Sequence, residues 1–353
     1  MTIWNLGAAA MAAAVSLCLT PLIANTADAE TSDGYRLSGP EVHGNLAIYF
    51  VHGESRGGPV PLTLAEALAK QTIEVREIGQ VNELTIANKG DEEVFIQAGD
   101  IVKGGQQDRV LSVSLLLKPH SGALSIASFC VEQGRWTARG SEDVAKFSSA
   151  NASLPSRIAK LNLAAVPPAP GAGGDATSVS KRQQEIWKTV SEIQGKLANN
   201  LGAPVAAPRS RTSLQLALEN GGLERAQTEY VKALQPLGEK EDDIVGYVFA
   251  INGKINSADI YPSNGLFRKM WPKLLRASVT EALGERNVPA EPPPPAAAAS
   301  TFLATPADAA AVERSATEQG RVEVRDGAKA VFMQAKPAAA PDSAWVHRNY
   351  IAK

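Results

Sequence analysis

The chain has 353 residues, 44% of them hydrophobic and 20% charged, which is apolar material for one large domain or two smaller ones. Its 35 basic and 37 acidic side chains give a net charge of −2 and form no single-sign run. That excludes a dedicated nucleic-acid or acidic-lipid surface, because both need clustered Lys and Arg.

The first predicted element is an export signal. Residues 6–24 are apolar and uncharged, and Ala27-Asp28-Ala29 is a small-x-small cleavage pattern before Glu30. The expectation is an exported protein, periplasmic or secreted, that meets a membrane only if this signal stays uncleaved. Residues 1–5 carry no Lys or Arg, which leaves that alternative open, but the stretch barely reaches the ~20 apolar residues a span requires. Cys18 falls inside the removed segment, so Cys130 is the cysteine left in the mature chain. No internal disulfide can form there, and Cys130 reads either as a buried inert thiol or as a reactive one.

From residue 46 to 131 the pattern is mostly strands, at 46–51, 73–78, 83–88, 93–97, 109–117 and 124–131, broken by Gly, Asn and Asp turns. One short helix, 63–70, interrupts them, with Thr63 and Glu66 spaced for a capping box. Beyond residue 136 the periodicity becomes helical. A Pro/Gly-rich connection at 167–174 leads to a helix over 181–201, where Ile186, Val190, Ile193 and Leu197 make one apolar stripe. A second helix spans 223–237. Then the period returns to two on either side of Asn252-Gly253, a turn dipeptide that tolerates positive φ. A closing helix runs from a Ser263 cap to Leu283, bent or restarted at Pro272.

The fold class that follows is α+β: a β-rich N-terminal half with one short helix, then helices, a β-hairpin and a closing helix, as one large domain over 30–284. Residues 285–318 read as a Pro/Ala-rich linker. Residues 319–353 read as a tail of short strand-like pieces, which either adds an edge to the main sheet or stays loosely ordered.

No complete catalytic, cofactor or metal motif is present, and no cofactor is expected. Gly53-Glu54-Ser55-Arg56-Gly57 matches a nucleophile elbow, but Gly57-Gly58-Pro59-Val60-Pro61 prevents the helix that an elbow needs. Ser55 is therefore read as part of a surface loop. The histidines, His43, His52, His120 and His347, have no helix-face spacing for a metal.

What remains is a polar cluster at the ends of two successive strands: Gln106-Gln107-Asp108-Arg109, and Cys130-Val131-Glu132-Gln133-Gly134-Arg135-Trp136. Antiparallel pairing would bring these groups to one end of a sheet. Gln107, Arg109, Arg135 and Trp136 are the candidate ligand-binding residues, with arginine forks suited to phosphate or carboxylate and an indole to stack on. Glu132 is the candidate general base, and Cys130 the candidate reactive thiol. The same residues also have a structural reading, in which Arg and Glu pair with each other, Trp136 plugs a core edge and Cys130 is a buried hydrophobe. Two functions follow: binding of a small anionic ligand, or a non-catalytic cell-envelope module that engages a protein partner.

Several blocks in order resemble one bacterial family: Gly39-Pro40 with Gly44-Asn45-Leu46, Val81-Asn82-Glu83-Leu84, Gly104 with Gln107 and Arg109, Cys130 to Trp136, Ile251-Asn252-Gly253-Lys254, and Trp271-Pro272-Lys273-Leu274-Leu275. The family is the ARG and Rhodanese-Phosphatase-superfamily-associated protein (ARPP) domain. The resemblance covers residues 37–283, with His347 compared to a terminal strand. Asp108 stands where the family pattern has Asn, which changes the charge balance of any shared anion site. The family name implies a link to ADP-ribose or related phosphoesters; an exported copy would sit away from cytoplasmic NAD pools.

Overall fold

The structure, a computed structural model, describes residues 1, 29–31, 34–135, 143–165, 176–305, 309–339, 341 and 344–353. Its class is α+β, as the periodicities predict. Strands from both ends of the chain build a nine-stranded antiparallel sheet. Numbered along the chain, its order is β1 (Ala29–Glu30), β2 (Arg36–His43), β3 (Leu46–His52), β13 (Ile244–Ile251), β14 (Lys254–Ile260), β18 (His347–Ala352), β17 (Ala330–Pro337), β16 (Gly320–Asp326) and β15 (Ala311–Thr317). Every residue of β3 and β13 is buried, because helices cover both faces. Ile48, Phe50, Tyr247 and Phe249 lie under α5 (Gly221–Gly238) and α6 (Asn264–Gly284). Ala47, Tyr49 and Val248, on the opposite face, lie under α7 (Ala296–Ala304). The predicted hairpin is β13–β14, turning at Asn252 (φ 51°) and Gly253 (φ 80°).

A six-stranded sheet carries the polar cluster, in the order β12 (Phe147–Ser149), β8 (Ile101–Gly104), β9 (Arg109–Leu111), β11 (Leu124–Cys130), β6 (Glu83–Asn88) and β5 (Ile73–Glu77). A smaller sheet joins β10 (Leu115–Leu117), β7 (Val94–Ile96) and β4 (Leu62–Thr63). Helix α1 (Leu64–Ala69) follows β4 with the predicted capping box formed in both directions. Helices α2 (Arg157–Ala164), α3 (Ala176–Leu201) and α4 (Leu214–Leu218) complete the fold. Ile186, Val190 and Leu197 of α3 are buried, and Ile193 packs beside them. Among the described residues no helix is long and apolar enough to cross a membrane.

Several expectations need correction. The run 109–117 is two strands in different sheets, β9 and β10. Between them Ser112 Oγ donates to the Ala127 carbonyl and Ser114 Oγ accepts from Ala98 N–H, so the serines let the chain leave one ladder for another. Helix α6 does not restart at Pro272 but continues through it, because Trp271, Leu274 and Leu275 on either side are buried in the main core; that packing outweighs a proline cost of ~3 kcal/mol. The expected 285–318 linker contains α7, whose Ala299, Phe302 and Leu303 enter the core beneath β2 and β3. Of the two alternatives for the tail the structure has the first, an extension of the main sheet, since β18 pairs with β14 on one side and β17 on the other. The strand β2 and helix α2 were not anticipated, and the connection at 167–174 lies outside the described residues.

Candidate functional site

The antiparallel pairing of β9 and β11 sets Cys130 opposite Arg109 and gathers the two polar runs at one end, as their order in the sequence implies. Gln107, Asp108, Cys130 and Glu132 are all fully buried, and Arg109 is 2% exposed. Arg109 donates to the Val81 carbonyl, contacts the Cys130 sulfur and reaches Glu77 Oε1 at 3.2 Å. Arg135 Nε donates to Glu132 Oε2 (2.7 Å), and its other nitrogens donate to the Gly105 and Gly104 carbonyls. The second Glu132 oxygen accepts from Ser210 Oγ. Asp108 accepts from Ser213 Oγ (2.8 Å) and Gly104 N–H (3.0 Å). Gln107 Nε2 donates to the Glu132 carbonyl (3.1 Å), while its Oε1 lies 2.9 Å from the Cys130 sulfur. From α3, Gln183 accepts from Cys130 N–H and donates to the Cys130 carbonyl, imitating one more strand.

The electrostatics follow from this census. Among the described residues three carboxylates, Glu77, Asp108 and Glu132, surround the guanidiniums of Arg109 and Arg135, so each arginine already faces protein acceptors. Burial pushes the Cys130 thiol up to about 11, against the opposing charge of Arg109, so the neutral thiol is the form present at neutral pH. Among the described residues, buried Arg109 Nε and Asn82 Oδ1 find no hydrogen-bond partner there. Trp136 lies outside the described residues. Ser55 is engaged in a loop, its Oγ accepting from Asn264 N–H at 2.9 Å.

A second arrangement was missed by the sequence reading. Lys269, Lys273 and Arg276 are spaced four and three residues apart on α6, so they share one helix face. That face lines a cleft of about 620 Å³, closed on the other side by Thr63, Ala65 and Asn151. Lys269 reaches the Pro61 carbonyl (3.0 Å) and Glu66 (3.2 Å). Lys273 reaches the buried Asp100 (2.5 Å) and Ser149 Oγ (3.3 Å). Burial would raise the Glu66 carboxyl, but bonds from Thr63 and the Lys269 charge hold it below its usual value. Arg276 is half-buried, and its guanidinium has neither an ion pair nor a hydrogen bond among the described residues. The 269/273/276 spacing was readable in the sequence. The freedom of Arg276 was not, since it depends on which acids α1, β8 and α5 bring near.

A family model described as ARG and Rhodanese-Phosphatase-superfamily-associated Protein domain matches residues 34–351. The match extends through β15 to β18, beyond the 37–283 of the resembling blocks. No curated protein and no solved structure matches.

Proposed function

The chain belongs to the ARG and Rhodanese-Phosphatase-superfamily-associated Protein domain family, and from that premise we propose that it is an exported protein that binds a small phosphate-bearing anion in the cleft between α1 and α6. The uncommitted Arg276 guanidinium carries this reading. A planar fork with free donors matches phosphate or carboxylate two bonds at a time; Lys269 and Lys273 on the same face are already paired with Glu66 and Asp100, and Glu224 also lines the cleft, so the reading rests on Arg276. The cleft volume of about 620 Å³ is within the range of small-molecule sites and suits a nucleotide-sized ligand.

The Gln107/Arg109/Glu132/Arg135 cluster is given a supporting part. Its donors hold β9, β11 and the 210–213 segment together, and Glu132 could serve as a base only after leaving both Arg135 and Ser210. The rival reading, a partner-binding module, draws less support. Among the described residues, exposed Val42, Ile158 and Val312 sit on three different elements, β2, α2 and β15, and only Ile78 and Val81 share one turn.

Calorimetric titration of the mature chain with ADP-ribose and pyrophosphate tests the site. Saturable heat should vanish in Arg276→Glu at unchanged Tm and persist in Arg135→Ala at temperatures where that variant is folded. Binding that survives Arg276→Glu but is lost in folded Arg135→Ala would move the site to the cluster; no heat with either ligand would end the anion reading in favour of a protein partner. Export rests on the apolar run 6–24 and Ala27-Asp28-Ala29. The intact mass of the protein recovered from the cell envelope or medium should begin at Glu30, and recovery of the full-length chain from the cytoplasm would refute it.

A further inference from the structure

We propose that Ser38, His52 and Asp243 form a nucleophilic site that hydrolyses small carboxylic esters, separate from the anion cleft. Ser38 Oγ lies 2.7 Å from His52 Nε2, and His52 Nδ1 lies 2.8 Å from Asp243 Oδ1. With Nδ1–H donated to the carboxylate, Nε2 is left to accept the serine proton, the arrangement by which a weak hydroxyl becomes a nucleophile.

The fold builds this geometry from three segments. In the β2–β3 register Ser38 pairs with Phe50 and Arg36 with His52, so Ser38 and His52 are diagonal neighbours on one face. Asp243 precedes β13, and its carbonyl accepts from Gly53 N–H at 2.9 Å, which ties the loop to the residue after His52. Arg36 donates to the other Asp243 oxygen at 3.1 Å. Burial tends to raise the Asp243 carboxyl, and the bonds and charges of His52 and Arg36 outweigh it, keeping the group below its usual value.

Accessibility is graded as a surface nucleophile requires. The His52 side chain is 2% exposed and Asp243 49%, while Ser38 is half-buried. The register slips between Ser38 and Glu41, and a bulge beside a residue re-aims its side chain. Gly39 makes the bulge at φ 102°, where a Cβ would lie 2.7 Å from the Ile48 carbonyl.

Three comparisons within the molecule sharpen the assignment. Ser114, His347 and Asp259 also line up, at 2.9 and 3.1 Å, but all three are buried, and Asp259 is shared with Asn349 and Gln97. That set is a core network. Ser55, the serine in the elbow-like motif, accepts from a helix N–H instead of facing a histidine. His52, Asp243 and Glu241 also offer metal-type ligand atoms within 4.8 Å of one another. The 2.8 Å Nδ1 to Oδ1 contact is a hydrogen bond when Nδ1 carries the proton, and a protonated Nδ1 has no lone pair for a cation; Arg36 already supplies positive charge to that carboxylate.

In the reaction the Ser38 oxygen bonds to the ester carbonyl carbon while its proton passes to His52 Nε2. The carbon–alkoxy bond then breaks and the alcohol leaves with that proton. Water, deprotonated by the same nitrogen, cleaves the acyl-serine, which releases the acid and restores Ser38. The net change is ester plus water to acid plus alcohol.

The test uses the full mature chain with a fluorophosphonate probe and p-nitrophenyl acetate. The probe should label Ser38, as located by peptide mass, and Ser38→Ala should lose the label and lower ester hydrolysis by at least about 100-fold, the low end for losing nucleophile and base cooperation. Ser55→Ala should match the wild type in both. His52→Gln should also lose labelling, and because that position is buried, half-buried Ser38 carries the decision if the histidine variant does not fold. A folded wild type that neither labels nor hydrolyses, or label that persists in Ser38→Ala, overturns the proposal.

Discussion

A buried charge is decided by its partners. Arg135 serves the Glu132 carboxylate and two backbone carbonyls at once, so truncating it leaves a fully buried carboxylate short of its cation. In urea unfolding we expect Arg135→Ala to cost about 3–5 kcal/mol, the range for breaking one partner out of a buried pair. Arg276→Glu should change the midpoint little, since no bond is lost. This contrast is the stability arm of the titration above, and a destabilisation below about 1 kcal/mol for Arg135→Ala would remove the cluster's supporting role. That Gln107, Arg109, Cys130 and Glu132 meet was legible, because adjacent strands in a sequence rich in turns tend to pair antiparallel. Their closure was not legible, because it is made by Gln183, Ser210 and Ser213, 53 to 105 residues away.

Elements whose cause is local were readable. The Thr63/Glu66 box, the Asn252-Gly253 hairpin and the α3 stripe need only neighbours within a turn or two. Helix α7 illustrates the limit. Its Ala-rich run has no side-chain cap at Pro295 and reads as a linker, yet Phe302 and Leu303 fill the face left by β2, β3 and β13. The helix forms because tertiary burial stabilises a segment too short to be helical alone. Phe302→Ala should lower stability by about 3 kcal/mol, the low end for a large-to-small core change, since the ring is 8% exposed. Denaturant unfolding measures this, and a loss under about 0.5 kcal/mol would return 285–318 to the status of a linker.

For the molecule as a whole, the main sheet joins strands from the two ends of the chain, with β3 beside β13 and β18 between β14 and β17. Asp259 sits at the centre of this arrangement, fully enclosed. It accepts from Asn349 (2.8 Å) and Gln97 (3.3 Å) and faces His347 Nε2 at 3.1 Å. Burial would raise its carboxyl, but His347, the Lys160 charge and Asn349 prevail and hold it below the usual value. A depressed folded value means that the ionised carboxylate favours the fold above the unfolded value of about 3.9 and that this contribution is lost as pH falls through the lower folded one. Wild type should therefore lose urea stability steadily below about pH 4, and Asp259→Asn should start less stable at pH 7 with a shallower acid limb. An identical acid limb in the two proteins would show that other carboxylates carry the dependence.

Sequence by itself determined what nearest neighbours and period determine: the α+β class, the caps and the hairpin turn, and the ordered blocks that resemble the family. Tertiary structure decided which polar groups are spent and which are available. Arg135 and Arg276 are chemically alike in the sequence, yet one is enclosed by Glu132 and backbone carbonyls and the other faces an open cleft. Ser38 and His52 are 14 residues apart and Asp243 a further 191 from His52. Their alignment rests on register, a bulge and a loop anchor, and those are set by long-range pairing that no local pattern encodes.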